Sequence, residues 1–278
     1  MSDLTSSFFN VTVTGAIAHL ELNRPEKANG MSPDFWADLP RLAKTIGGMP
    51  HIRCVVLSAV GKHFSAGMDL TTLADIQNLM DEEPGRVALA LRDLITYLQH
   101  SLSSLETLKI PVIVVPHGAT LGAAIDLITA CDICVASSDA SFGIEEINVG
   151  MAADVGTLQR LPKLIPPMIV KELAFTGRRF SAEEAKAWGL VNSIHKDQTS
   201  ALEAAMKMAN EIAKKSPLAI AGIKQAITYA RDHSVSDSLN QIATWNGGVL
   251  RAEELKIAIS AKMSKQEAVF ADLLKDAV

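Results

Sequence analysis

The most apolar part of the chain, residues 110–136, restricts most strongly what this sequence can fold into. It is long enough for a membrane-spanning helix, but prolines, glycines and ionisable residues interrupt it (Pro111, Pro116, His117, Gly118, Gly122, Asp126 and Asp132). The pattern instead predicts two short buried strands, at 112–115 and 133–136, with a helix at 121–130 between them. A segment of this kind is typical of the interior of an α/β protein.

Other strand patterns occur on both sides of this segment. Residues 11–22 alternate in polarity and predict a hairpin. Residues 53–59 form a continuous apolar run, which predicts a strand buried on both faces. A shorter strand is predicted at 141–148, and a last one at 191–194.

Helical patterns occupy most of the remaining chain. Two helices are predicted at 71–79 and 86–109, and a capping box at Ser181 and Glu184 predicts the start of another. Beyond residue 200 the sequence offers no strand candidate, and three helical segments follow, at 202–215, 219–233 and 236–270. We therefore predict an α/β core at residues 1–200 and a helical C-terminal domain at residues 201–278.

Composition narrows the function classes. The 278 residues are 48% hydrophobic and 21% charged, so the chain has enough apolar surface for a well-buried core. Its formal net charge of −5 disfavours nucleic-acid binding. Cys54, Cys131 and Cys134 are too few for a disulfide scaffold, and the last two, in C-x-x-C spacing, are interpreted as buried thiols rather than metal ligands. With an N-terminus that lacks a signal or transit pattern, these features predict a cytoplasmic protein.

A turn-rich segment, residues 64–70 (FSAGMDL), follows the buried strand predicted at 53–59. Gly67 frees the backbone to turn, so the segment is able to present the amide of Met68 to a ligand. The alternative is an ordinary turn between a strand and a helix, which this segment taken alone favours.

A second segment, residues 117–126, contains a turn followed by a helix that is predicted to begin near Gly122. The first amides of a helix lack partners within it, so they stabilise an oxygen that develops negative charge. Ala123 and Asp126 are three residues apart and share one helix face. The amide of Ala123 and the carboxylate of Asp126 are therefore expected in one cavity. The apolar neighbours of Asp126 indicate a buried acid rather than a solvated one.

Asp154 is a second acid among apolar residues, within the sequence MAADV at 151–155. Burial raises the pKa of a carboxyl group and suits it to proton transfer near neutral pH. The alternative is that Asp154 caps the helix predicted to begin at Thr157. Spacing alone does not decide between these roles.

These segments resemble motifs of the crotonase (enoyl-CoA hydratase/isomerase) superfamily. Residues 64–70 resemble F-x-A-G-x-D-(L/I), and residues 117–137 resemble N-G-x-x-x-G-G-G-x-(D/E)-L-x-x-x-C-D-(I/L)-R-x-A. Residues 141–165 resemble F-x-x-P-E-x-x-x-G-x-x-x-x-x-G-x-x-x-(R/L)-L. The motifs occur in the family's order and spacing over about residues 10–270. One departure is that Ala123 and Ala124 replace two glycines of the triple glycine, although Ala123 still supplies an amide.

The resemblance implies an α/β fold built as a spiral of β-β-α units, with a helical C-terminal domain that mediates trimerisation. It also implies an acyl-CoA substrate whose thioester oxygen is held by the amides of Met68 and Ala123. The residues expected to bind coenzyme A are Lys62, Ala66, Asp69 and Leu70. No cofactor is expected beyond the coenzyme A of the substrate. The partners implied are two or five further copies of the chain, as a trimer or a dimer of trimers, with neither nucleic acid nor a membrane.

The acids at Asp126, Glu146 and Asp154 match the dienoyl-CoA isomerase branch of the superfamily at each position. Isomerisation of a 3,5-dienoyl thioester to the 2,4-diene, a reaction of fatty-acid β-oxidation, removes a proton at C2 and adds one at C6. The resemblance therefore places Glu146 at C2 and Asp154 at the far end, with Asp126 polarising nearby. An enoyl-CoA hydratase, which needs only two carboxylates, is the alternative enzyme. A crotonase-like RNA-binding protein is the non-enzyme alternative, and the acidic balance disfavours it.

Overall fold

The computed structural model describes residues 4–69, 72 and 83–274, which form two β-sheets with helices packed against them. The strands are β1 (Phe9–Thr14), β2 (Ile17–Leu22), β3 (Cys54–Ala59), β4 (Val112–Val114), β5 (Ala119–Leu121), β6 (Ile133–Ser137), β7 (Ser141–Gly143), β8 (Phe180–Ser181) and β9 (Ser193–His195). The α-helices are α1 (Pro33–Gly47), α2 (Pro84–Glu106), α3 (Ala123–Thr129), α4 (Thr157–Leu164), α5 (Pro167–Thr176), α6 (Ala182–Trp188), α7 (Gln198–Ala213), α8 (Pro217–Asp232), α9 (Val235–Val249) and α10 (Ala252–Ser264). Short 3-10 helices lie at Pro25–Lys27 and Glu146–Val149.

The larger sheet has the strand order β1-β2-β3-β4-β6-β9. β1 and β2 form the predicted antiparallel hairpin, and every later pair in the order is parallel. All of β3 is buried, as its apolar run predicted, because both faces of the sheet are covered. Val55 and Leu57 face the larger hydrophobic core, whereas Cys54 and Val56 face a smaller core beneath α7.

The smaller sheet, β5-β7-β8, corrects two predictions and determines where site residues lie. The helix predicted at 121–130 begins only at Ala123, because residues 119–121 pair in parallel with residues 141–143. The strand predicted at 141–148 ends at Gly143, since the chain then enters the 3-10 helix that begins at Glu146. Adjacent parallel strands end at the same edge of a sheet. Ala123 comes shortly after β5 and Glu146 shortly after β7, so both residues lie near that edge.

Most helices lie where the sequence predicts them. α6 begins with the predicted capping box, in which Ser181 and Glu184 satisfy each other's backbone amides. The helix predicted at 71–79 falls outside the described residues, apart from residue 72. The helix predicted at 236–270 is instead two helices, α9 and α10, because the backbone becomes extended at Leu250 and Arg251.

Beyond His195, the described residues contain helices and their connections but no strand, as predicted. α7 packs on the larger sheet through Ala201, Ala205 and Ala209. The division of the chain at residue 200 stays a prediction. Among the helices that the structure describes, none combines the length and the apolar character needed to cross a bilayer.

An ion pair between buried Lys224 and partly exposed Asp132 attaches α8 to the core. The ammonium of Lys224 donates to Oδ2 of Asp132 at 2.7 Å and to the carbonyls of Leu105 and Ile110, each at 3.1 Å. Asp132 also accepts the backbone N–H of Val112 at 2.8 Å. The pair therefore joins α8, the end of α2 and the beginnings of β4 and β6.

We expect Lys224→Met to lower the free energy of unfolding by about 2–3 kcal/mol, because it leaves a partly exposed carboxylate and two main-chain carbonyls without their donor. Urea denaturation measures the change. The matched control is Lys214→Met, which removes an exposed ion pair with Glu267 and should cost less than about 1 kcal/mol. Equal midpoints for the two variants would contradict the role given to Lys224.

Candidate active site

The site begins where two backbone segments touch at Gly67. The segment that starts at Ser65 runs beside β5, with hydrogen bonds from Ser65 N–H to Ala119 O and from Leu121 N–H to Ser65 O (3.1 and 3.0 Å). A Cβ at Gly67 would lie 2.6 Å from Leu121 O and 3.2 Å from the amide nitrogen of Ala123. The φ of Gly67 is +88°, so glycine alone combines this backbone conformation with this close approach.

Two backbone amides are available at this contact. Met31 donates to Gly67 O and accepts from Asp69 N–H, so the N–H of Met68, between them, faces away from Met31. Ala123 is the first residue of α3, where an amide has no partner within the helix. Within the described residues neither amide donates to a protein acceptor. The two predicted amides thus belong to the two backbone segments that touch at Gly67.

Asp126 lies one helical turn beyond Ala123 and is the most buried acid of the site, at 1% exposed. Its Oδ1 accepts the backbone N–H of Thr157, the first residue of α4. Its Oδ2 is buried and has no partner in the described residues. Burial raises the pKa of Asp126 to about 6, despite its hydrogen bond from Thr157.

Glu146 faces the same place from the 3-10 helix. Its Oε1 lies 3.5 Å from the position that a Cβ on Gly122 would take, next to the amide of Ala123. Its Oε2 is buried without a partner among the described residues. Burial, followed by the negative charge of Asp126, raises the pKa of Glu146 to about 7.

Asp154 is a half-buried residue in the loop before α4. Burial raises the pKa of its carboxyl group, and its charge in turn raises the pKa of both Asp126 and Glu146. The capping role considered for Asp154 is not the one observed, because the amide of Thr157 is bound by Asp126 and the N-cap of α4 is Gly156. Asp154 therefore retains a carboxyl group that is partly accessible beside two other acids.

The residues predicted to bind coenzyme A lie in different surroundings. Lys62 and Ala66 are exposed. Asp69 is nearly buried and forms an ion pair with Arg24. Since Arg24 also donates to Gly30 O, the carboxylate of Asp69 stabilises the local backbone. Leu70 lies outside the described residues.

The sequence analysis missed Asn29, which holds the segment that carries the Met68 amide. Asn29 is fully buried, and its side-chain amide donates to Val60 O and His63 O, both at 2.9 Å. The main-chain carbonyl of Asn29 accepts from the hydroxyl of Ser65 at 2.8 Å. An asparagine at a turn, where positive φ is tolerated, was the only signal in the sequence (φ of Asn29 is +51°).

Comparison with known proteins shows which family this chain resembles. A family model described as "Enoyl-CoA hydratase/isomerase" matches residues 12–272. The chain is 41% identical to the human protein named "Delta(3,5)-Delta(2,4)-dienoyl-CoA isomerase, mitochondrial" over 94% of this chain and 81% of that protein. It is 39% identical to the Arabidopsis thaliana protein named "Delta(3,5)-Delta(2,4)-dienoyl-CoA isomerase, peroxisomal", over 93% of this chain and 94% of that protein. The names of these two relatives place them in mitochondria and peroxisomes, so the expected cytoplasmic location of this chain is not confirmed.

Solved structures show the same fold. An enoyl-CoA hydratase from Bacillus anthracis superposes with a TM-score of 0.86 at 28% identity, covering 95% of this chain and 99% of that one. The crotonase-like architecture predicted from the motifs is therefore confirmed.

The clustering of acids predicts a measurable coupling. Asp126→Asn keeps an oxygen for the Thr157 amide but removes the charge that most raises the pKa of Glu146, so this pKa should fall from about 7 towards its ordinary value. Carbon-13 NMR of the glutamate side chains over a pH series measures it. The matched control is Glu145→Gln, because the charge of Glu145 is already offset by Arg179. A pKa of Glu146 that moves more in the control than in Asp126→Asn would contradict the coupling.

Proposed function

The chain belongs to the enoyl-CoA hydratase/isomerase family, and from this we propose that it isomerises 3,5-dienoyl-CoA to 2,4-dienoyl-CoA in fatty-acid β-oxidation. The observation that carries the proposal is the third acid. Asp126 and Glu146 alone would serve an enzyme that acts at one double bond, whereas Asp154 adds a third carboxyl group whose charge acts on both of them.

In the proposed mechanism, the amides of Met68 and Ala123 hold the thioester oxygen. Removal of a proton from C2 places negative charge on this oxygen, and two backbone donors stabilise it more strongly than they stabilise the neutral carbonyl. The C2 electron pair becomes part of a dienolate that extends through C4 to C6. Protonation at C6 then leaves double bonds at C2–C3 and C4–C5.

Glu146 is the base at C2 in this proposal, and Asp154 is the acid at C6. A base must be ionised and an acid must be protonated before the reaction. Burial raises the pKa of Glu146 to about 7, and it also raises the pKa of Asp154, which favours the protonated form of Asp154 relative to an exposed carboxyl group. Asp126, whose Oδ1 is already held by Thr157, adds negative charge that makes Glu146 a stronger base. Each turnover leaves Glu146 protonated and Asp154 ionised, so both acids exchange protons before the next.

Coenzyme A is proposed to lie along residues 62–69, with Lys62 and Ala66 on the exposed side of this segment. Since the carboxylate of Asp69 is bound to Arg24, we assign Asp69 to holding this segment rather than to contacting the nucleotide. The substrate class follows from the family, and the length of the acyl chain is not part of the proposal.

The decisive substitution is Asp154→Asn, which keeps the size of the side chain and removes its acid. General acid–base catalysis contributes about 10² to 10⁴-fold, so the rate of dienoyl isomerisation should fall by that order. Absorbance follows the conjugated 2,4-diene as it forms. Hydration of a 2-enoyl-CoA, where it is detectable, should change much less, because Asp126 and Glu146 remain.

Glu146→Gln is the companion variant and should impair both reactions. Undiminished dienoyl isomerisation by Asp154→Asn would reject the proposed reaction. Rapid hydration of 2-enoyl-CoA that depends on Glu146 but not on Asp154 would then favour an enoyl-CoA hydratase, the alternative that the Asp126–Glu146 pair also supports.

We also propose that the chain assembles as a trimer or a dimer of trimers. The region of α8–α10 leaves large apolar side chains between 46% and 81% exposed (Ile223, Ile227, Val235, Leu239, Leu250, Leu255, Ile259 and Met263). A helical region with this many exposed large apolar side chains is expected to bury some of them against another chain.

Light scattering at micromolar concentration should therefore report three or six chains. Ile227→Asp combined with Leu239→Asp should shift the mass towards one chain, because each places a charge in the apolar surface. Val13→Asp, an exposed apolar position in β1, is the control and should leave the mass unchanged. A wild-type monomer would contradict the proposed assembly.

A further inference from the structure

One face of α2 contacts the loop and helix that follow Asp154. Gln99, Ser103 and Glu106 are spaced four and three residues apart, so they lie on the same side of the helix. A neighbouring side of the helix is fixed in the hydrophobic core by Leu98, Leu102 and Leu105, which are all at most 2% exposed. The polar face is therefore presented by a rigidly packed element.

This face binds both ends of the segment from Asp154 to Arg160. At one end, Nε2 of Gln99 donates to the main-chain carbonyl of Asp154 at 2.6 Å. At the other end, Nη2 of Arg160 donates to the hydroxyl of Ser103 at 2.8 Å and pairs with Glu106 at 3.3 Å. Gln99 and Ser103 lie one turn apart on α2. Their spacing therefore fixes the distance between the two ends of the segment from Asp154 to Arg160.

Gly156 shows how closely the segment is held in its middle. Its φ is +144°, and a Cβ there would lie 2.0 Å from Nη1 of Arg160 and 3.9 Å from Oδ1 of Asp126. The next residue, Thr157, donates its amide to Asp126. The segment is thus packed between α2 and the buried carboxylate of Asp126. Within α2, Gln99 contacts Asp154, the residue that is proposed to act as the acid.

We propose that Gln99 is a positioning residue for Asp154. The proposal rests on the isomerase function proposed above. Gln99 does not reach the substrate in this role. It fixes the carbonyl of Asp154, and thereby directs the Cα–Cβ bond of that residue towards C6. A general acid must come within hydrogen-bond reach of the atom it protonates, and a displacement of about 1 Å costs up to about 10²-fold in rate.

The test is a comparison of Gln99→Met with Gln198→Met. Both glutamines are half-buried and donate Nε2 to a main-chain carbonyl, which for Gln198 is that of Ala59 at 2.7 Å. Met retains the length of the side chain and removes the donor. The measurements are kcat and KM for 3,5-dienoyl-CoA and the thermal midpoint of each variant. Each substitution is also made in the Asp154→Asn background.

We expect Gln99→Met to lower kcat by about 10 to 100-fold with KM changed less than about twofold, whereas Gln198→Met leaves kcat unchanged. In Asp154→Asn, Gln99→Met should produce no further loss, because a residue that acts through Asp154 has nothing left to position. This non-additivity separates positioning from a general loss of stability, which would lower activity in both backgrounds.

Unchanged kcat in Gln99→Met would overturn the inference, and so would an equal loss in both backgrounds. If Gln99→Met does not fold, Gln99→Asn tests the same bond, because its shorter amide does not reach the carbonyl, and the same outcomes apply. Failure of the inference is distinct from failure of the proposed function, since the latter would appear as full activity in Asp154→Asn itself.

Discussion

The hydrogen bond between the carboxylate of Asp126 and the amide of Thr157 is the contact on which the arrangement of the site depends. It joins α3, whose first residue supplies one of the two amides, to α4, which follows the loop of Asp154. A carboxylate with 1% exposure is costly to retain, and its second oxygen has no partner in the described residues. The cost is consistent with a function for the group, because an apolar residue would fill the space at lower cost.

Three acids so close together also determine one another's ionisation. Burial and the charge of Asp126 raise the pKa of Glu146 to about 7, and the charge of Asp154 adds to both neighbours. Like charges in one site make simultaneous ionisation unfavourable, so protonated and ionised carboxyl groups are present together near neutral pH. A reaction that takes a proton at one carbon and returns one at another needs this mixture.

Much of this was predictable from the sequence where local patterns carry the information. The apolar run at 53–59 predicted β3, and the apolar neighbours of Asp126 predicted its burial. The strand at 119–121 was missed because three residues are too few for periodicity to reveal, and its pairing with 141–143 is tertiary. The same holds for the contact of Gln99 with Asp154, 55 residues away. Which acid binds the Thr157 amide was equally undecided, because Asp126 is 31 residues distant in sequence and close only in the fold.

The burial that prepares the acids for proton transfer also opposes folding as the pH rises. The pKa of Asp126 is raised in the folded state from its ordinary 3.8 to about 6, so its contribution to stability is complete below about pH 4 and is lost as the pH rises through about 6. A rise of this size corresponds to roughly 3 kcal/mol at neutral pH. The fold must offset this elsewhere, and the buried core around α3 is the nearest source, since every residue from Ala123 to Thr129 is buried. A chain that replaced Asp126 by an apolar residue would avoid the cost of the buried charge, but it would leave the buried Thr157 amide without its acceptor and lose the charge that strengthens Glu146.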